Sequence, residues 1–302
     1  VHRMLKARVV LPDGTRVAFS RPDESGEMRI WVASLNDIDG ATKLTTADDG
    51  LWDHGGAAWS PDGSTICYAS FSAFWTVSAD GGKPRQITAD GWNGEECTWS
   101  ADGRYIYCDS WRQGTLALWR IPAKGGNPQR MTQGTGNESE PSVSTDGSRL
   151  AYSAGGPGTE AVIVDVDNGS QTTLGRMRTA LQASVSPSGD RMVFLSQRWD
   201  RRGELAEQLL EDGEPIGPPR RLTNQEGTAT HPSYSPDGRW IAYYAIKNDK
   251  RDIWVIPSGG GTPLQFTDGP EQEIHPTWAP DCRSLAYVSR TGDESEIMVA
   301  PI

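Results

Sequence analysis

The composition of this chain excludes several classes of protein. With 302 residues and a net charge of -11, the chain lacks the concentrated basic surface that nucleic-acid binding needs, so we expect no nucleic-acid partner. No apolar stretch approaches the roughly 18 residues that a membrane-spanning helix requires, and the four cysteines are too few for a disulfide scaffold of this size.

A short motif recurs along the chain: a turn of the Ser-Pro-Asp-Gly type, followed by an apolar strand that ends in Ser. Its copies begin at Leu11, Ser60, Ser100, Ser144, Ser186, Ser235 and Ala279, which lie 40 to 49 residues apart. Repeats of this length, built of short strands and turns, are typical of β-propellers. The sequence therefore predicts an all-β, single-domain β-propeller with seven blades of four antiparallel strands.

The predicted blades follow one another along the whole chain. In chain order they occupy residues 1–49, 50–90, 91–134, 135–177, 178–225, 226–269 and 270–302. The fifth copy carries an insertion at 200–219, which we interpret either as a lid or partner contact or as a longer hairpin, since surface insertions cost little free energy. The seventh copy stops after its third strand, so we predict a three-stranded last blade.

Two cysteines, Cys97 and Cys108, flank the Asp-Gly turn of the third copy almost symmetrically. The pattern predicts that they face each other across one hairpin, either as a disulfide or, the interpretation we favour, as two buried free thiols. Cys67 and Cys282 have no evident partner in the sequence.

The repeats also share a longer motif, which is nearly complete at 59–88 and 232–267. Its elements are Trp-Ser-Pro-Asp-Gly, Ile-Ala-Tyr, Ile-Trp-Val, Gly-Gly-x-Pro and Leu-Thr. Through this motif the whole chain resembles the TolB-like propeller repeat family. The resemblance implies relatives such as the periplasmic TolB component of the Tol–Pal system, the propellers that gate oligopeptidases, and some polysaccharide lyases. We therefore expect a location in the bacterial periplasm or outside the cell, with the cytoplasm as the alternative.

The chain also departs from these relatives. TolB pairs a six-bladed propeller with an N-terminal domain, whereas this chain has seven turn copies and no such domain, so the Tol–Pal role is not carried over. The seven repeats occupy these 302 residues, so we expect no hydrolase domain within them, and no Gly-x-Ser-x-Gly elbow supplies a nucleophile. An oligopeptidase activity is therefore not carried over either.

One position near the central channel carries polar residues in five consecutive blades. Three residues before the aromatic residue or Val of strand one, the copies read Glu96, Glu140, Gln182, His231 and His275. The symmetry of a propeller would bring these side chains together at the channel mouth, where carboxylates and imidazoles suit a divalent metal ion or acid–base chemistry. The alternative is a structural role, because polar residues that lead into strands commonly bond loop backbone groups.

Aromatic and basic residues are predicted on the loop face, the side of the disc opposite the Asp-Gly turns. This set, which we predict to bind ligand, contains Trp52, Trp92, Trp111, Arg112, Trp199, Arg201, Lys250 and Arg251. Exposed Trp rings stack on sugars or anchor peptides, and clustered positive charge on an acidic protein receives an anionic ligand. The alternatives are Trp rings buried under their own loops and a solvated rim of charges.

These observations favour a monomeric binding scaffold for a protein, peptide or acidic glycan. The alternative is a metal-dependent carbohydrate-active enzyme, a polysaccharide lyase or hydrolase, with its site at the channel mouth and a divalent metal ion as its cofactor. A third interpretation is an excised sensor domain of a larger protein.

Overall fold

Antiparallel sheets form almost all of the regular structure. The computed structural model describes residues 6–10, 14–46, 54–70, 72–132, 137–155, 159–177, 183–197, 199, 203–292 and 294–302. The strands form six sheets of four strands and one sheet of three, and in each sheet the strands are paired in sequence order. The predicted seven-bladed propeller with a three-stranded last blade is confirmed.

The strands of the blades are short. The first blade contains β1 (Lys6–Val10), β2 (Arg16–Pro22), β3 (Met28–Ser34) and β4 (Asp37–Lys43), and the second contains β5 (His54–Trp59), β6 (Thr65–Ser70), β7 (Ala73–Ser78) and β8 (Arg85–Gln86). The third contains β9 (Cys97–Trp99), β10 (Tyr105–Ser110), β11 (Ala117–Pro122) and β12 (Gln129–Arg130), and the fourth contains β13 (Asn137–Val143), β14 (Arg149–Gly155), β15 (Thr159–Asp165) and β16 (Gln171–Met177).

The remaining blades follow the same order. The fifth contains β17 (Ser184–Val185), β18 (Arg191–Ser196), β19 (Glu204–Glu211) and β20 (Glu214–Arg221), and the sixth contains β21 (Thr228–Tyr234), β22 (Trp240–Lys247), β23 (Lys250–Pro257) and β24 (Leu264–Gln265). The seventh contains β25 (Gln272–Trp278), β26 (Ser284–Thr291) and β27 (Glu294–Pro301). Most of the insertion in the fifth copy is the hairpin of β19 and β20, so of the two interpretations the longer hairpin is the one observed.

The Ser-Pro-Asp-Gly turn recurs because each residue type has a bonding role in it. In the second blade the Ser60 hydroxyl donates to the Asp62 carboxylate at 2.6 Å and accepts the Thr65 N–H at 3.0 Å. Gly63 closes the turn with φ of 69°, a conformation that favours glycine. The bonds from Ser60 and then Ser64 lower the pKa of Asp62. The turn therefore fixes the register of the hairpin that follows it.

The Thr at the end of the outer strand also has a defined role. Its hydroxyl oxygen accepts a backbone N–H from the third strand of the same blade, as where Leu205 donates to Thr223 at 2.9 Å and Ile253 to Thr267 at 2.8 Å. The same bond runs from Ile30 to Thr45, from Phe74 to Thr88 and from Leu118 to Thr132. The Thr thus satisfies a buried donor where the short outer strand ends.

Replacing Thr223 with Val should therefore destabilise the protein. Valine has nearly the same shape, but it leaves the buried Leu205 N–H without its acceptor, and we expect a loss of about 1–3 kcal/mol in the free energy of unfolding. Urea unfolding followed by tryptophan fluorescence measures this loss. Thr223→Ser, which keeps the hydroxyl, is the control and should lose less; equal losses in the two variants would show that the hydrogen bond contributes nothing.

The core lies between neighbouring blades. Tyr68, Tyr107, Tyr152 and Tyr243, one from the second strand of each of four blades, are among the largest fully buried side chains. Indole N–H groups also tie blades together: Trp99 donates to the Ala58 carbonyl and Trp278 to the Ser233 carbonyl, each at 3.0 Å. No helix among the described residues is long and apolar enough to cross a membrane. Packing between neighbouring blades thus fixes the positions of the innermost strands, which line the channel.

Candidate functional site

A cavity of about 290 Å³ lies in the channel between the innermost strands. Its wall includes the predicted site residues Glu140, His231 and His275, contributed by β13, β21 and β25 of three different blades. Each of them is followed by a buried proline that also lines the cavity, at Pro141, Pro232 and Pro276. The structure therefore brings three of the five residues in the predicted polar set into one cavity.

A β-bulge holds each of these three residues, which we call the bulge residues (Glu140, His231 and His275). The register of the first strand against the second is interrupted around each of them, between 139 and 142, between 230 and 233, and between 274 and 277. Their φ angles are 58°, 53° and 55°, in the left-handed region that non-glycine residues rarely adopt. Bulges and strained φ angles of this kind are concentrated at functional sites, where they redirect a side chain.

The second blade has a glycine at the same position. Gly56 has φ of 61°, and a Cβ placed on it would lie 2.1 Å from the Glu95 carbonyl oxygen. No side chain fits there because the neighbouring blade approaches too closely. The bulge is therefore a feature of the fold, while the side chain it carries differs from blade to blade.

Aromatic contacts group the two imidazoles with a tyrosine. The ring centroids of His231 and His275 are 4.6 Å apart with the planes nearly perpendicular, and His231 stacks on Tyr244 at 4.8 Å. The Nδ1 atom of His231 lies 3.3 Å from the Thr230 hydroxyl. Burial raises the pKa of Tyr244 to about 12, with Arg251 acting to lower it and Glu140 to raise it. Tyr244 is therefore a neutral hydroxyl at physiological pH.

Two of the predicted basic residues stand at the loop-face end of β23, beside this group. The Arg251 guanidinium donates to the Gln272 side chain at 3.1 Å, and the Lys250 ammonium lies 2.8 Å from the Asp252 carboxylate. The hydrogen bond to Asp252 raises the pKa of Lys250. Arginine has five N–H donors in a planar fork, so Arg251 can bond Gln272 and still present donors to a carboxylate.

Glu96, the third-blade member of the predicted polar set, has a different setting. It is buried, and its backbone N–H donates to the Asp109 carboxylate at 3.0 Å, beside the bond from the Glu95 N–H to the same oxygen at 2.8 Å. It is not among the residues that line the cavity. Gln182, Trp52 and Arg201 lie outside the described residues, so their roles stay predictions.

Asp109 should give the protein an unusual pH dependence. Burial, the largest cause, raises its pKa from 3.8 to about 7 against the lowering effect of the two backbone N–H groups. The folded protein therefore keeps a proton that the unfolded chain releases, so this residue reduces stability as the pH rises from about 4 to 7. Asp109→Asn, which keeps an acceptor oxygen, should gain several degrees in Tm over the parent protein at pH 7.5 and little at pH 4.

Thermal unfolding at both pH values measures this difference. Asp62→Asn is the matched control, because the pKa of Asp62 is lowered by its hydrogen bonds. The stabilising contribution of the Asp62 carboxylate is present above the unfolded pKa and is lost as the pH falls. Asp62→Asn should therefore have a lower Tm than the parent protein at pH 7.5. If Asp109→Asn behaves like Asp62→Asn, folding does not raise the pKa of Asp109.

The predicted aromatic residues occupy two kinds of environment. Trp111 is 45% exposed and Trp199 is 36% exposed, and Arg112, which follows Trp111 in the sequence, is also exposed. Trp92 is only 3% exposed; its ring packs edge-to-face on Trp119 at 4.8 Å, beneath the Arg112 guanidinium at 4.8 Å. Trp92 thus supports the loop below Arg112, whereas Trp111 and Trp199 present their rings to solvent.

The described donors do not by themselves form a metal site. Among the residues that the structure describes, no group of three or more His, Cys, Asp or Glu side chains is arranged to hold a metal ion. The cavity instead offers a mixed set of hydrogen-bonding groups, with a carboxylate, two imidazoles and hydroxyls such as that of Ser233. Such a set is suited to a polar ligand with both donor and acceptor groups.

Sequence reasoning missed two residues of the site. Tyr244 is in contact with His231, yet it follows the fully buried Tyr243 in an apolar strand and looks like a core residue. Cys97 lines the cavity, although the hairpin pattern accounts for it as a partner of Cys108. The alternation of side chains along β22 is the signal for Tyr244, because neighbours in a strand face opposite sides.

The sequence matches one family model over half of its length. Residues 58–213 match the family described as the TolB beta propeller domain. A shorter match is found with an uncharacterized protein of Agrobacterium fabrum, which is 40% identical over 48 residues. The matched stretch makes up 16% of this chain and 16% of the length of that relative.

Solved structures resemble the whole chain in fold. An oligogalacturonate lyase in complex with manganese superposes with a TM-score of 0.76 at 16% identity, covering 99% of this chain and 90% of the lyase. TolB from Acinetobacter baumannii superposes with a TM-score of 0.61 at 15% identity, covering 95% of this chain and 77% of TolB. At these identities the likeness concerns the fold alone.

Proposed function

The chain belongs to the TolB beta propeller domain family, and from this premise we propose that it is a binding scaffold that holds an acidic glycan or peptide in its central channel. The observation that carries the proposal is the convergence of Glu140, His231 and His275 on one cavity. All three are non-glycine residues held at left-handed φ, a conformation that costs about 1–3 kcal/mol per residue and that a glycine, as at Gly56, adopts at lower cost.

The chemistry of the wall favours an acidic sugar as the ligand. Glu140 accepts hydrogen bonds from hydroxyl groups, and the imidazoles donate or accept at neutral pH. Arg251 and Lys250 at the loop-face end supply the positive charge that a uronate carboxylate needs. The exposed rings of Trp111 and Trp199 are suited to stack on sugars that extend beyond the channel.

Isothermal titration calorimetry with a short oligogalacturonide tests this proposal. We expect saturable binding to the parent protein, weaker binding of a polyglutamate peptide and none of a neutral cello-oligosaccharide. Arg239→Ala is the control variant, since Arg239 pairs with Asp237 in an exposed turn on the opposite face. Equal binding of all three ligands, or of none, would contradict a channel selective for acidic sugars.

A second candidate is a metal-dependent carbohydrate-active enzyme, and it is favoured by the two imidazoles that lie 4.6 Å apart in one cavity. The similarity in fold to an oligogalacturonate lyase that binds manganese supports the same candidate. A bound divalent ion would act as a Lewis acid on the sugar carboxylate. Because the described donors do not form a metal-binding group, we propose Gln182, from the same position in the fifth blade, as the further ligand.

Elemental mass spectrometry of the purified protein separates the two candidates. A stoichiometric metal that is lost in the variant His231→Ala/His275→Ala would favour the enzyme. Absence of metal in both proteins, together with binding of the oligogalacturonide, would favour the scaffold.

We also propose that the protein works outside the cytoplasm, in the bacterial periplasm or secreted, as the TolB resemblance implies. Fractionation of cells that produce the full natural protein tests this location. Recovery with the periplasmic or extracellular fraction supports the proposal, and recovery with cytoplasmic markers overturns it.

A further inference from the structure

Three of the four cysteines meet at the boundary between the second and third blades. Cys67 lies in β6, and Cys97 and Cys108 lie opposite each other in β9 and β10. The sulfur of Cys67 is 3.0 Å from the sulfur of Cys97, so Cys67 does have a partner, which the sequence did not reveal. None of the three is in a disulfide bond, and the fourth cysteine, Cys282, lies in a turn of the last blade.

Two thiols interact with that of Cys97: Cys67 from the second blade, at 3.0 Å, and Cys108 across the hairpin. The contact and orientation of the Cys97 thiol point to the bond between blades. Two non-bonded sulfur atoms rarely approach as closely as those of Cys67 and Cys97, and a disulfide needs a separation of about 2.0 Å. A small movement of the two side chains therefore suffices. The same Cys97 thiol donates to the Gly56 carbonyl at 3.0 Å, which orients its sulfur toward the second blade.

The three thiols differ in how a reagent can reach them. Cys67 and Cys108 are fully buried, and burial raises the pKa of both thiols. Cys97 also has little exposed surface, but it lines the central cavity. A small oxidant that enters the channel meets Cys97 first, while bulky protein oxidants are excluded. Because burial raises the pKa of the partner thiol Cys67 and leaves Cys97 little exposed surface, oxidation should be slow.

We propose that Cys67 and Cys97 are an oxidation site, at which hydrogen peroxide entering the channel forms a disulfide between the second and third blades. The Cys97 sulfur attacks one peroxide oxygen, breaking the O–O bond to give a sulfenic acid and one water molecule. The Cys67 sulfur then displaces the sulfenic oxygen as a second water molecule. In total, two thiols and one peroxide give one disulfide and two waters.

The bond joins residues that are 30 positions apart in the chain, from different blades. Such a cross-link restricts the unfolded chain and stabilises the folded protein, and we expect a rise of about 5 °C in Tm. This site rests on the thiol geometry alone and does not depend on the proposed ligand.

Peptide mapping after peroxide treatment tests the proposal directly. Trypsin separates the cysteines, because Cys67, Cys97 and Cys108 fall in the peptides 44–85, 86–104 and 105–112. The intact protein is treated with millimolar peroxide, blocked with iodoacetamide, digested without reduction and analysed by mass spectrometry. We expect peptide 44–85 linked to 86–104, two free thiols fewer per chain, and a rise in Tm that dithiothreitol reverses.

Two variants and two alternative products decide the outcome. Cys108→Ala should keep the linked peptide and the rise in Tm, whereas Cys67→Ala should lose both. A link between 86–104 and 105–112 in the parent protein would overturn the assignment in favour of the hairpin pair. Recovery of Cys97 without a cross-link, as a thiol or as a sulfinic acid, would show that Cys67 does not form a disulfide with it. The mapping needs only the parent protein, so a variant that fails to fold leaves the test intact.

Discussion

Replacing His231 and His275 together with alanine is expected to weaken binding of the oligogalacturonide by about 100-fold or more. Both imidazoles line the cavity from neighbouring blades, and each lies close enough to the other to contact one ligand. Loss of two central polar contacts at about 1.4 kcal/mol each amounts to a factor of 100 in the dissociation constant. Calorimetric titration of the folded double variant measures the effect, with Arg239→Ala as the control.

A purely structural role for these residues predicts a different result. If His231 and His275 only bonded the loop backbone, the double variant would lose stability and still bind the ligand. A glycine variant isolates the cost of the backbone conformation, since glycine relieves the left-handed φ of 53° at His231 while removing the same side chain as alanine does. We expect His231→Gly to be more stable than His231→Ala by about 1 kcal/mol, the reverse of the usual order within a strand.

Gly56→Ala should be strongly destabilising, although it adds a single methyl group. The new Cβ would lie 2.1 Å from the Glu95 carbonyl oxygen, and the backbone of two neighbouring blades would have to separate. The φ of 61° is also unfavourable for alanine. From the clash and the strained backbone together, we expect a loss of about 3 kcal/mol or more in the free energy of unfolding. Urea unfolding measures the loss.

Gly91→Ala is the matched control for the backbone conformation alone. Gly91 has φ of 87°, but no atom lies within 4 Å of its added Cβ. The strained conformation should cost about 1 kcal/mol there. If Gly56→Ala costs no more than Gly91→Ala, the close approach between the second and third blades does not exist in solution.

The repeat made the fold predictable from sequence. Each Ser-Pro-Asp-Gly turn fixes a hairpin through local bonds such as that of Ser60 to Asp62, so its spacing counts the blades directly. Counting back from the aromatic residue or Val of the first strand also identified Glu140, His231 and His275 as equivalent positions that line the cavity, whereas Glu96 at the same position of the third blade does not line it. The three-stranded last blade followed from the same count.

The details of the site were not predictable, since they depend on contacts between blades. The left-handed φ of His231 leaves no sequence signal, because histidine is not a residue that requires it. The burial of Trp92 depends on Trp119, and Cys67 meets Cys97 only because the two blades pack together. Contacts of this kind are not encoded within one repeat, so repeat reasoning alone misses them.

Histidine-selective NMR tests the central claim, that the channel residues form the binding site, most directly. The chain has only four histidines, so protein labelled with ¹⁵N-histidine gives a small set of ring signals that single variants assign. Titration with the oligogalacturonide should shift the ring signals of His231 and His275 together, with one saturation curve. Binding by calorimetry without a shift at either His231 or His275 would show that the ligand binds elsewhere.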